Sequence, residues 1–128
     1  MEAQEHTQGT ILVGDDEAPV LRVVQRILKR SGYEVISAED GQAAVEVFQA
    51  HDGPIDVVIL DITMPRLSGI EAARQIRALD ANVKIMISSG YEASTATSNV
   101  EEGVISGFLQ KPFTPNDLRT AVQAVLAT

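Results

Sequence analysis

The chain has 128 residues, no cysteine and a formal net charge of −8, which fits one domain with a single sizeable core and excludes disulfides and thiolate metal sites. Lysine and arginine form no evident cluster, which argues against binding nucleic acid or an anionic membrane by this chain. No apolar run approaches the ~20 residues of a membrane span.

The opening "MEAQEHTQ" lacks the basic-then-apolar pattern of a signal peptide. Residues 1–9 read as a flexible leader and 10–128 as one domain. "TILVG" (10–14) is a buried-strand pattern. Pro19 suits a first helical turn, and Val20, Val23, Val24, Ile27 and Leu28 recur at helical spacing. Ser31-Gly32 stops that helix with glycine available for a left-handed cap. "YEVIS" (33–37) is a second strand, and "EDGQAAVEVFQAH" a second helix with Ala44, Val47 and Phe48 on one face.

"HDGPID" is a turn. "VVIL" (57–60) is a third strand that ends abruptly in a carboxylate, Asp61. Ile70, Ala73, Ile76 and Leu79 mark a third helix, and "VKIMIS" (83–88) a fourth strand. "EASTATSNVEEG" is a weak helix, poor in large apolar residues. "GFLQ" (107–110) is a short fifth strand. The last helix opens with Thr114 as cap, Pro115 in the first turn and Asp117 three after the cap, and buries Leu118, Val122, Val125 and Leu126.

Five strand–helix units, a (βα)5 chain, imply an α/β fold: a doubly wound five-stranded parallel sheet with helices on both faces. Ligands in such sheets bind at the carboxyl ends of the strands, where strand order reverses. With strand order 2-1-3-4-5, Asp15, Asp16 and Asp61 converge on one cleft, and Ser89 and Lys111 approach from the far side. Three carboxylates against one ammonium leave roughly two excess negative charges, which recruit a cation or a proton. Hard oxygen ligands suit Mg²⁺, or Mn²⁺ in its place. A carboxylate is also a nucleophile toward phosphorus.

The stretches "ILVGDDE", "VVILDITMPRLSG", "IMISSGY" and "GFLQKPF" together resemble the receiver domain of bacterial two-component response regulators, with its flavodoxin-like fold. The likeness covers about residues 10–127. It implies that Asp61 accepts a phosphoryl group from a histidine kinase or a histidine phosphotransfer domain. Asp15 and Asp16 match the Mg²⁺-holding acidic pair, and the backbone carbonyl of Thr63 matches a further metal ligand. Ser89 matches the switch hydroxyl, Lys111 the phosphate-binding lysine, Pro112 a proline often preceded by a cis peptide, and Phe108 the aromatic switch. Such domains promote their own phosphorylation and dephosphorylation and are not conventional turnover enzymes. A cytoplasmic setting and a homodimer through the fourth helix, fifth strand and fifth helix are further implications. "HDGPID", "SSGY" and "FLQKPF" look most like receivers attached to hybrid sensor kinases. Gly14 departs from the family's frequent valine and implies lighter packing; Phe108 lacks a tyrosine's hydroxyl; Tyr91 is placed to shield an acyl phosphate.

Each motif alone has a plainer reading. The acidic run 15–17 favours a helix N-terminus, Asp61 ends a strand, Ser88-Ser89-Gly90 is a loop, and Lys111-Pro112 is a turn. Their coincidence at one sheet edge favours function. His6, His51 and Arg66 read as solvated, Met64 and Met86 as packing residues, and Glu17 as a helix cap. Two other functions compete. A haloacid-dehalogenase-type phosphatase needs a second aspartate where Thr63 stands, and a cap domain. A binding-only module would not require the complete set Asp15, Asp16, Asp61, Ser89 and Lys111.

Overall fold

The computed structural model describes residues 8–128. The elements are β1 (Thr10–Gly14), α1 (Ala18–Arg30), β2 (Glu34–Ala38), α2 (Gly41–Ala50), β3 (Val57–Asp61), α3 (Gly69–Leu79), β4 (Lys84–Ser89), α4 (Ala93–Ala96), β5 (Gly107–Gln110) and α5 (Pro115–Leu126). All strand pairs are parallel, in the order β2-β1-β3-β4-β5. Strand order reverses between β1 and β3, with Gly14 opposite Leu60.

Alternate side chains along the central strands feed two separate cores. Leu12, Val58, Leu60, Ile85 and Ile87 pack against Ala44 of α2 and Ala72, Ala73 and Ile76 of α3. Ile11, Val13, Val57, Ile59, Met86 and Leu109 pack against Leu21, Val24 and Leu28 of α1 and Leu118, Val122 and Val125 of α5. A sheet apolar on both faces explains why its strands lack polar alternation.

Several boundaries differ from the sequence-based expectation, each for a local reason. β2 starts at Glu34, because Tyr33 belongs to the end of α1. Gly32 (φ 99°) donates its N–H to the Lys29 carbonyl at 3.0 Å, and Tyr33 donates to the Leu28 carbonyl at 3.1 Å. This is a glycine-terminated helix end with an apolar residue following. β3 includes Asp61 and β4 includes Ser89, so both residues are held by the sheet. Leu79 and Leu126 are half-exposed, and the buried face of α3 is Ala72, Ala73 and Ile76. α4 is a single turn with no buried residue. There Thr97 Oγ1 donates to the Ala93 carbonyl at 2.7 Å and Ser98 Oγ to the Thr95 carbonyl at 3.3 Å, local side-chain bonds that compete with helix continuation. α5 has its expected cap: Thr114 Oγ1 accepts the Asp117 N–H at 3.0 Å, and Asp117 accepts the Thr114 N–H at 2.9 Å.

Residues 1–7 of the expected leader lie outside the described residues. Its last two are tied down: Gln8 donates to the Gly32 carbonyl at 2.8 Å, and Gly9 accepts from the Glu34 N–H at 2.9 Å. A cation cluster also appears that spacing in the sequence hid. Arg22, Arg26, Lys29 and Arg30 are all exposed on α1, and the helical period brings them to one face.

Two glycines allow the loop after β3 to close. A Cβ at Gly69 would collide with the backbone carbonyl of Asp61, and one at Gly41 with that of Leu67. Gly14 does not leave space beside the acidic pair, as its family comparison implied. A Cβ there would meet Leu60 Cδ2 at 3.0 Å and Met64 Cε at 3.7 Å, so those side chains fill the volume. Gly69→Ala is expected to destabilise the fold by about 1–3 kcal/mol or more. Urea unfolding measures this, and an unchanged midpoint would contradict the close approach.

Candidate functional site

The site forms where β1 and β3 end side by side. Asp15 follows β1 directly and is 4% exposed. Its N–H donates to the Ala38 carbonyl at 3.1 Å and its Oδ1 accepts the Glu17 N–H at 2.9 Å, so backbone holds it from both sides. Asp61 is the last residue of β3 and is also buried. Its N–H and C=O lie within the sheet edge, opposite Ser88 of β4. Asp16 is exposed at the mouth. Carboxylate oxygens of Asp15, Asp16 and Asp61 all lie within 4.8 Å of one another.

Lys111 enters from the end of β5. Its N–H donates to the Ser89 carbonyl at 2.7 Å, and its peptide bond to Pro112 is cis. The ammonium reaches both buried carboxylates, 3.1 Å from Asp15 Oδ2 and 3.1 Å from Asp61 Oδ1. Four of the five core site residues of the sequence reading thus form one contact cluster.

Ser89 stands beside this cluster, 1% exposed, with its Oγ accepting the Tyr91 N–H at 3.0 Å. That bond uses the oxygen and leaves the hydroxyl proton available. Thr63 is exposed on the β3–α3 loop. Phe108 lies opposite Ile87 and is half-buried against the α2–α3 side of the core. Met64 and Met86 are buried packing residues, and Glu17 occupies the N-cap of α1 without a side-chain cap bond. Tyr91 is 65% exposed. Arg66 is exposed, with φ 70°, and its Nε lies 3.8 Å from Asp40 Oδ2. Asp40 in turn caps α2 through the Ala43 N–H at 2.7 Å. This link across the site rim was not legible, because nothing in the spacing of residues 40 and 66 signals contact.

The electrostatics are unbalanced. Burial pushes the Asp61 carboxyl above its ordinary pKa; the charges of Asp15 and Asp16 push the same way, and Lys111 only partly opposes them. For Lys111, burial alone would lower the pKa. Hydrogen bonds and charge from Asp15 and Asp61 outweigh it and hold the ammonium above its ordinary value. The two directions are compatible, since one ammonium serves two carboxylates. A raised Asp61 pKa means the folded chain binds that proton more tightly than the unfolded chain. Stability therefore falls as pH rises from the unfolded toward the folded pKa, and above both the fold carries the full cost of an ionised Asp61.

An all-oxygen cluster with excess negative charge has the chemistry of a hard divalent-cation site, and Asp15, Asp16 and Asp61 fit one. No helix of the described residues is long and apolar enough to cross a membrane.

The response regulator receiver domain model matches residues 11–123. Over 117 residues the chain is 35% identical to the alkaline phosphatase synthesis transcriptional regulatory protein PhoP of Bacillus subtilis, covering 91% of this chain and 48% of that protein. It is 32% identical to the sensor kinase CckA of Brucella abortus, covering 91% of this chain and 12% of that protein. The chain spans about half the length, or less, of these relatives. Among solved structures, the response regulator protein TrrA of Thermotoga maritima, in complex with Mg²⁺-BeF, superposes with a TM-score of 0.82 at 33% identity, covering 93% of this chain and all of that one. Fold, site geometry and sequence agree: the chain belongs to the response regulator receiver domain family.

Proposed function

We propose that Asp61 accepts a phosphoryl group from the phosphohistidine of a histidine kinase or a histidine phosphotransfer domain. The observation that carries this is the bridging of Asp15 and Asp61 by one ammonium, Lys111, at 3.1 Å to each, beside a third carboxylate. Asp15, Asp16, Asp61 and the backbone carbonyl of Thr63 are the proposed ligands of Mg²⁺, with Mn²⁺ a substitute. A bound divalent cation would neutralise charge on the phosphoryl oxygens.

Transfer needs little from the protein beyond position and charge. An Asp61 carboxylate oxygen attacks phosphorus in line with the departing imidazole. The P–N bond breaks, its electrons stay on nitrogen, and the departing imidazole takes a proton from solvent water. Lys111 leaves its contact with Asp61 and pairs with a phosphoryl oxygen while keeping Asp15. Ser89 donates its hydroxyl proton to another oxygen and moves inward, and Phe108 turns into the space this opens. Receiver domains act with histidine kinases, and the same site geometry supports both gain and hydrolysis of the phosphoryl group by the chain itself. Tyr91, exposed beside Ser89, limits water access in the phosphorylated state.

Phosphorylation shifts an existing equilibrium at the face of α4, β5 and α5. The single-turn α4, with no buried residue, makes that face soft. A second copy or an attached domain reads it. We take residues 10–128 as the receiver unit, in the cytosol, either free-standing or joined to a sensor kinase.

Incubation with acetyl phosphate and Mg²⁺ is expected to add a single phosphoryl group by intact mass, absent in Asp61→Ala and absent without metal. Equal labelling of the Asp61→Ala chain would overturn the assignment. Lys111→Met is expected to lower metal-free stability by roughly 1–3 kcal/mol, between the values for exposed and buried ion pairs. Thermal unfolding by circular dichroism checks it, and a more stable variant would contradict the bridging role.

A further inference from the structure

Among the described residues, Arg66 alone has a positive φ without being glycine. At φ 70° it heads a three-residue turn in which the Leu67 N–H donates to the Pro65 carbonyl at 2.7 Å. This is the positive-φ γ-turn, the rarer and more strained of the two forms. Glycine would meet that φ with no Cβ penalty. The neighbouring backbone does use glycine where close approach requires it, at 41 and 69, yet an arginine stands at the strained apex. Strained backbone of this kind gathers at active sites and ligand clamps.

The arginine side chain reaches the opposite loop. Its Nε lies 3.8 Å from Asp40 Oδ2, while Asp40 Oδ1 accepts the Ala43 N–H at 2.7 Å as the cap of α2. The carboxylate is thus fixed in place, and Arg66 comes to it. The two loops also touch through backbone, since a Cβ at Gly41 would strike the Leu67 carbonyl. Each loop belongs to one side of the acidic cluster. Asp40 follows closely on Ala38, whose carbonyl accepts the Asp15 N–H at 3.1 Å. Arg66 lies on the loop that leaves Asp61 and carries Thr63. The arginine side chain is 64% exposed, so the pair contributes little to folding.

We propose that Arg66 is a positioning residue for the divalent cation. Its pairing with Asp40 clasps the β3–α3 loop to the N-terminus of α2. The clasp limits how far the Thr63 end of the site moves from the Asp15 end. The inference rests on the proposed ligand set of Asp15, Asp16, Asp61 and the Thr63 carbonyl for what is positioned, and on the contacts above for how. A loop already held in place costs less to order when a ligand binds. The sign of the effect separates this role from plain electrostatics. A guanidinium beside the cluster repels a cation, so by charge alone its removal tightens binding. Through the clasp, its removal weakens binding.

The test is a Mg²⁺ titration followed by NMR at the Asp16 and Thr63 amides, on the unaltered chain, R66G, R66Q and R66K. R66G and R66Q are expected to bind Mg²⁺ roughly threefold more weakly, within the range of an exposed ion pair, and R66K close to the unaltered chain. In chelator, R66G should unfold at a midpoint no lower than the unaltered chain, because glycine relieves the turn. D40N keeps the α2 cap and should weaken binding more in the unaltered chain than in R66Q, the coupling a double-mutant cycle isolates. Tighter binding by R66Q, R66K no better than R66Q, or independent effects of D40N and R66Q would overturn the clasp. A lower midpoint for R66G would assign Arg66 to the fold instead. Mg²⁺ binding that is the same in all four chains would remove the clasp alone. No Mg²⁺ binding by the unaltered chain would remove the cation reading and the clasp with it.

Discussion

One ammonium shared by two buried carboxylates is the interaction on which the rest of this structure depends. Lys111 sits 3.1 Å from both Asp15 and Asp61, yet these residues come from three different strand ends. Only the reversal of strand order between β1 and β3 makes Asp15 and Asp61 neighbours. β5 lies two strands from β3, and the length of the lysine side chain spans the gap. The glycines at 41 and 69 let the β3–α3 loop fold back against the Asp61 backbone. The two close-packed cores below are the base from which these strand ends project.

The balance at that edge is deliberately incomplete. Lys111 satisfies Asp15 and Asp61 enough to keep both buried, but Asp16 adds a third negative charge beside them and is in no ion pair among the described residues. A fully neutral cluster would be more stable and would have no use for a cation or a phosphoryl group. Stability traded for reactivity is expected at functional sites. The same asymmetry extends over the surface: acid gathers at the strand ends and base along α1.

The sheet and most of the site were legible in the sequence because their signals are short-range. Unbroken apolar runs mark strands buried on both faces, and a polar residue that ends such a run must point at the sheet edge. That reasoning places Asp15, Asp61, Ser89 and Lys111. Less legible were features that need a register or a helical period to appear. Tyr33 looks like strand but is spent on ending α1. Leu79 fits a helical spacing but is half exposed, because α3 meets the core through the small Ala72 and Ala73 with Ile76; Leu126, the last residue of α5, is 36% exposed. Gly14 looked like missing volume, and Leu60 and Met64 fill it. The cations of α1 are scattered in the sequence and adjacent in space. The Arg66–Asp40 contact has no sequence signal at all.

The charge imbalance at the sheet edge is tested most directly by thermal unfolding of the unaltered chain and of Asp61→Asn, each with chelator and with Mg²⁺. Removing one of three crowded charges should make the variant more stable than the unaltered chain in chelator. Mg²⁺ should raise the midpoint of the unaltered chain and move that of the variant much less, because a cation stabilises the state that binds it. A variant less stable in chelator, or an unaltered chain indifferent to Mg²⁺, would show that Lys111 alone balances the cluster and that no cation site exists there.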